Sequence, residues 1–145
     1  MLEIFQIPVL NDNYIYLIID AKSGKTACVD PALHEPVIEK LEELDKKLDF
    51  ILNTHHHNDH VGANLKLQNK YKCEIVGNEK DKERIPGISI FVNEGDTFKL
   101  GDSVCRVFDV SGHTLGHICY YFSKESLIFC GDTLFSLGCG RLFEG

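Results

Sequence analysis

Apolar positions along the chain fall first into alternating runs, then into a helical stripe, then into short alternating runs again. Residues 3–8 and 14–20 are rich in β-branched and aromatic side chains, with the turn cluster Asn11-Asp12-Asn13 between them, which predicts a hairpin. Ser23-Gly24 marks the next turn, and Thr26–Val29 reads as a short strand ending at Asp30-Pro31. From 34 to 48, Val37, Ile38, Leu41, Leu44 and Leu48 share one face of a 3.6-residue period, with Glu and Lys opposite. That spacing predicts an amphipathic helix, with His34 exposed near its start. A strand over 49–53, a second helix over roughly 60–71 and a strand-like run at Cys73–Val76 follow. The β-α-β-α-β alternation implies parallel pairing with helices outside.

Beyond residue 85 the period changes to two. Ile88–Val92, Thr97–Leu100, Ser103–Val110, His117–Phe122 and Leu127–Cys130 are separated by polar and glycine turns, which predicts a second, largely antiparallel sheet. Two sheets facing each other make one α/β sandwich.

Between the strand at 49–53 and the second helix lies Thr54-His55-His56-His57-Asn58-Asp59-His60, an H-x-H-x-D-H pattern holding four of the seven histidines. Imidazole nitrogen and carboxylate oxygen are the donors a borderline-soft cation such as Zn²⁺ accepts. In an extended loop, residues two apart project to the same side, so His55, His57 and Asp59 can converge while His56 faces away. His60 follows as the first residue of the new helix, turned back toward the same point. Two later signals, Gly112-His113-Thr114 and Gly131-Asp132-Thr133, follow predicted strands. Alone each is a loop histidine or a turn aspartate; beside the histidine loop, His113 and Asp132 read as ligands. Asp30 is either a turn former or a carboxylate that orients the metal-binding loop. His117 reads as a packing or surface residue, and Thr54, Thr114 and Thr133 as hydrogen-bonding within the loops.

Composition narrows the field. At 145 residues the chain is one domain's length, with 43% apolar and 26% charged residues, ordinary for a globular protein. A net charge of −7 argues against a nucleic-acid surface, which needs a basic patch. No run approaches the length of a membrane span and the N-terminal segment lacks a signal-peptide pattern, so the expectation is a cytoplasmic protein without a membrane partner. The six cysteines form no C-x-x-C pair and mostly sit in apolar runs, so they are expected as buried free thiols.

The H-x-H-x-D-H loop with the later Gly-His-Thr and Gly-Asp-Thr resembles the metallo-β-lactamase superfamily. Residues 131–145, ending in Gly-Cys-Gly-Arg-Leu-Phe-Glu-Gly, resemble the glyoxalase II (hydroxyacylglutathione hydrolase) family within it. The resemblance covers essentially the whole chain. It implies an α/β fold, a metallo-β-lactamase-like αββα sandwich of two mixed sheets with outer helices. It implies a binuclear centre, with zinc usual and iron or manganese possible. His55, His57 and His113 would hold one metal, Asp59 and His60 the other, and Asp132 both. The implied reaction is attack of a metal-activated hydroxide on the thioester of S-D-lactoylglutathione, giving D-lactate and glutathione, with Asp59 and Asp132 in the catalytic centre. Arg141 and Phe143 fall where the family touches glutathione with a basic and an aromatic residue.

Family members continue for roughly another hundred residues, within usual domain length. Relative to that pattern, residues 1–145 are expected as a metallo-β-lactamase-like domain lacking its last strand, its C-terminal glutathione-binding helices and one histidine of the second metal site. Two other readings stand beside the hydrolase: a mononuclear iron dioxygenase acting on glutathione persulfide, and an inactive metal-binding fragment that folds with a partner chain. β-Lactam hydrolysis is disfavoured by the missing signal-peptide pattern.

Overall fold

The alternating runs form two six-stranded sheets packed face to face in a computed structural model. The structure describes residues 2–10, 13–110, 116–131, 133–136 and 141–143, the last two segments by their backbone only. In the first sheet, β1 (Leu2–Val9), β2 (Asn13–Asp20) and β3 (Thr26–Val29) run antiparallel. From β3 the direction holds: β4 (Phe50–Leu52), β5 (Glu74–Asn78) and β6 (Ile90–Val92) are parallel to it. The second sheet has the order β12-β11-β10-β9-β8-β7, with β7 at Thr97–Leu100, β8 at Ser103–Asp109, β9 at Ile118–Phe122, β10 at Leu127–Cys130, β11 at Thr133–Ser136 and β12 at Arg141–Phe143. Every pairing in it is antiparallel.

Two apolar layers hold the sandwich. Tyr16, Ile18, Leu52, Val76, Tyr120 and Phe129 lie among the side chains between the sheets. On the outer face of the first sheet, Leu17, Ile51 and Ile75 pack under Val37, Leu41 and Leu67 of the helices. Among the described residues the helices cover that face alone, so the layers are α, β, β.

Four expectations are corrected. Ile88–Val92 belongs to the first sheet: Ile90–Val92 pairs parallel with Val76–Asn78, because period-two alternation does not say which sheet a strand joins. The first helix, α1, spans Glu35–Leu44 rather than 34–48. Asp45 turns left-handed at φ 55°, and the Lys46 N–H closes back on the Leu41 carbonyl at 2.8 Å, ending the helix while Leu48 stays buried in the following loop. The second helix is two pieces, α2 (Asn58–Val61) and α3 (Asn64–Tyr71), interrupted at Gly62-Ala63. Finally, Cys119 and Cys130 form a disulfide between β9 and β10, whereas Cys28, Cys73 and Cys105 are buried free thiols as expected.

Candidate metal centre

Parallel strands end together, and that edge is where this chain gathers its polar residues. Asp30 follows β3, Asn53 through His57 follow β4, and Asn78 ends β5. Asp30 takes a left-handed conformation at φ 50°, which an aspartate tolerates. Its carboxylate is 1% exposed. The Thr54 N–H donates to Asp30 Oδ1 at 2.8 Å and the Thr54 hydroxyl to Oδ2 at 2.6 Å. His60 Nδ1 lies 3.1 Å from the same Oδ2. Of the two sequence readings of Asp30, the structure supports the orienting one.

With Nδ1 on Asp30, His60 turns Nε2 toward Asp59, whose Oδ2 is 3.6 Å away. Asn13, at the start of β2, donates to both the Asp59 carbonyl and its Oδ2 at 3.1 Å. Burial alone would raise the Asp59 pKa; the Asn13 hydrogen bond and the nearby histidines instead hold it below the usual carboxylate range. His55 lies at the middle. Its ring centroid is 4.7 Å from His57 and 4.1 Å from His60. Burial, with the neighbouring histidines, pushes the His55 pKa down to about 4 against the pull of Asp30. It is therefore neutral near pH 7, the form that ligates metal. Donor atoms of Asp30, His55 and His60 all lie within 4.8 Å of one another. With Asp30 committed to Thr54 and His60, the imidazole nitrogens gathered beside it suit a borderline divalent cation.

The floor under the site is fixed by both sheets. Asn53 Nδ2 donates to the His60 carbonyl at 3.0 Å, and Asn64 Nδ2 donates to Asn53 Oδ1 at 2.7 Å. From β9, the Ile118 N–H donates to the Thr54 carbonyl at 2.9 Å and the Tyr120 hydroxyl to the Asn53 carbonyl at 2.6 Å. Gly62 must be a glycine for contact reasons: a Cβ there would meet the Ala32 carbonyl oxygen at 2.6 Å.

Of the sequence-derived site residues, the structure brings His55, His57, Asp59 and His60 together. His113 and Asp132 lie outside the described residues. Arg141 and Phe143 lie on β12, whose backbone pairs with β11; their side chains are outside the described part. His117, read as packing or surface, stacks on His55 with ring centroids 4.6 Å apart. Its position four residues after His113 was the available signal. Asn13, read as a turn residue, is a partner of Asp59.

Comparison with known proteins gives a consistent picture. The model of the metallo-β-lactamase superfamily matches residues 10–144. The hydroxyacylglutathione hydrolase of Methylococcus capsulatus is 54% identical over 145 residues, covering 100% of this chain and 57% of that protein. The hydroxyacylglutathione hydrolase of Rhodospirillum rubrum is 52% identical over 144 residues, covering 99% of this chain and 56% of its own. The chain thus spans a little over half the length of these curated relatives. Among solved structures, the BLEG-1 B3 metallo-β-lactamase superposes with a TM-score of 0.77 at 22% identity, covering 90% of this chain and 71% of that one. ETHE1 from Myxococcus xanthus gives 0.74 at 26% identity, covering 92% and 56%.

Proposed function

The chain belongs to the metallo-β-lactamase superfamily, and from that premise we propose that it hydrolyses a glutathione thioester, S-D-lactoylglutathione, to D-lactate and glutathione. The observation that carries the reading is the convergence of His55, His57, Asp59 and His60 at the strand ends, in a chain about half identical to hydroxyacylglutathione hydrolases along its whole length. His55, His57 and His113 would hold one metal ion, Asp59 and His60 a second, and Asp132 both. Zinc is the proposed metal. Bound there, it would supply Lewis acidity toward the thioester carbonyl and lower the pKa of water to near neutrality.

The chain's own residues prepare that chemistry. Asp30 accepts from Thr54 and faces His60 Nδ1, which fixes the tautomer that leaves Nε2 as the lone-pair donor. Burial keeps His55 unprotonated, so no proton competes at pH 7. Asn13 holds the Asp59 carboxylate in place. Arg141 is proposed to pair with a glutathione carboxylate and Phe143 to pack against its apolar part. A cytoplasmic site of action suits a glutathione-linked substrate, and no helix among the described residues is long and apolar enough to cross a membrane.

The test is hydrolysis of S-D-lactoylglutathione by the zinc-loaded chain, with His55→Ala as control. Turnover that falls at least about 100-fold in the control is expected, on the scale of losing an electrostatic catalyst. A folded, zinc-loaded chain that leaves the thioester intact would overturn the activity. Oxygen consumption by the iron-loaded chain with glutathione persulfide would replace it with the dioxygenase reading.

A further inference from the structure

Between β5 and β6 a 3₁₀ turn, Glu79–Asp81, carries a buried carboxylate that the proposed reaction does not use. Asp81 is 2% exposed. Its Oδ2 is enclosed without a hydrogen bond, and so is the Nδ1 of His56; the two atoms lie 3.4 Å apart. A carboxylate in such a place is unfavourable unless a cationic or donor group faces it, and His56 is that group.

The same carboxylate also packs closely against Gly116. A Cβ at Gly116 would sit 2.6 Å from Asp81 Oδ2 and 2.9 Å from its Cγ. Gly116 also has φ +89°, a conformation that L side chains rarely adopt. Asn78, at the start of the same turn, donates to the Gly116 carbonyl at 3.0 Å and accepts from the Lys80 N–H at 3.0 Å. On the outside, Lys80 Nζ pairs with Asp109 of β8 at 3.0 Å. The turn is therefore fastened to both segments that bear histidines: the loop of His55 and His57 through His56, and the segment leading into His117 through Gly116.

His56 sits between His55 and His57 in the chain, and its ring meets that of His57 edge-on with centroids 5.1 Å apart. Anchoring His56 on Asp81 therefore sets the backbone that carries both neighbours. Holding Gly116 sets where the following His117 ring stacks on His55. We infer that Asp81 is a positioning residue, which anchors His56 and the Gly116 backbone so that the two histidine-bearing segments face one metal centre. The inference rests on the proposed metal centre.

Zinc affinity is measured by competition with a chromophoric chelator, and site geometry by the visible absorption of the Co²⁺-loaded chain. Asp81→Asn keeps the size and removes the charge; His56→Phe keeps a ring and removes the nitrogen. Each is expected to weaken zinc about tenfold, the lower end for residues that orient ligands, and to alter the Co²⁺ spectrum. The metal-free melting temperature is expected to fall in His56→Phe, which leaves the buried carboxylate facing no donor, and to change less in Asp81→Asn, so the zinc affinity and the Co²⁺ spectrum of Asp81→Asn carry the test. The double variant is expected to be no worse than either single one, since both break the same contact. Wild-type zinc affinity and an unchanged Co²⁺ spectrum in both single variants would overturn the inference, as would losses that add fully in the double variant. If the unaltered chain binds neither metal, the metal centre itself is overturned, a result distinct from a variant that binds like the wild type.

Discussion

Asp30 and Thr54 are joined twice: the Thr54 N–H reaches Asp30 Oδ1 at 2.8 Å, and its hydroxyl reaches Oδ2 at 2.6 Å. The same hydroxyl lies 2.9 Å from His55 Nδ1, and His60 Nδ1 lies 3.1 Å from Asp30. One buried carboxylate therefore sets the orientation of two histidines through a threonine and a direct contact. Asp30→Ala is expected to lower zinc affinity about 10- to 100-fold, as loss of a ligand-orienting partner does elsewhere. Asp30→Asn should do less harm than Ala, because its single amide oxygen keeps one of the two contacts that Thr54 donates. Metal competition titrations on the three proteins check the order.

A second buried carboxylate works away from the metal centre. Asp20, at the end of β2, accepts from the Ser23 hydroxyl at 2.6 Å and, across to the second sheet, from the Ser103 hydroxyl at 2.7 Å and the Asp102 N–H at 3.1 Å. Burial works to raise its pKa, but these donors together hold it well below the usual carboxylate range. A depressed folded pKa stabilises above the ordinary value and is lost as pH falls through the folded one. Asp20→Asn is therefore expected to cost about 1–3 kcal/mol at pH 7. The difference should shrink below about pH 4, where the unfolded carboxyl is protonated. Urea unfolding at pH 7 and at pH 3 tests the sign; an equal deficit at both would contradict it.

Much of this architecture was legible in the chain because burial leaves period-specific traces. The stripe Val37, Leu41, Leu44 and the alternation in β7 and β8 each report one buried face. His55, His57, Asp59 and His60 were legible because their spacing is local. What was not legible depends on distant segments. Asp81 sits in the charged run Glu79–Arg84, where nothing local marks one residue as buried; in the fold it packs against Gly116 and His56. Asn13 lies 46 residues from Asp59. The break between α2 and α3 falls at Ala63, at φ −98° and ψ 0°, whose N–H turns to the Pro31 carbonyl at 2.9 Å, a contact that helical periodicity does not carry.

The cysteine expectation failed for a similar reason. Cys119 and Cys130 are 11 residues apart, and the register that pairs Tyr120 with Phe129 puts them opposite each other on β9 and β10. Closing a loop of this size contributes up to about 3 kcal/mol in the chain-entropy account. The hairpin pairing already orders this loop, so about 1–2 kcal/mol is expected on reduction. Thermal melts with and without a strong reductant, compared with Cys119→Ser, measure it. A reductant effect that persists in Cys119→Ser would assign the loss elsewhere.

Gly62 separates steric need from conformational freedom. Its backbone is right-handed helical, at φ −58° and ψ −29°, so alanine would be tolerated on dihedral grounds and favoured by helix propensity. The obstacle is contact: the new methyl would meet the Ala32 oxygen at 2.6 Å and the Asn58 oxygen at 2.9 Å, both backbone atoms. Ala32 is two residues after Asp30, and the neighbouring Ala63 N–H donates to the Pro31 carbonyl at 2.9 Å. Relieving the clash must push α2 away from the loop that carries Asp30, moving His60 off its carboxylate. Gly62→Ala is therefore expected to destabilise the fold by about 1–3 kcal/mol, the usual range for overpacking, and to weaken zinc as well. Gly95→Ala is the matched control, because a Cβ there meets nothing within 4 Å although φ is +84°. It should cost stability through the backbone alone and leave zinc affinity unchanged. Equal zinc affinities for the two variants would show that the Ala32 contact does not set the position of His60.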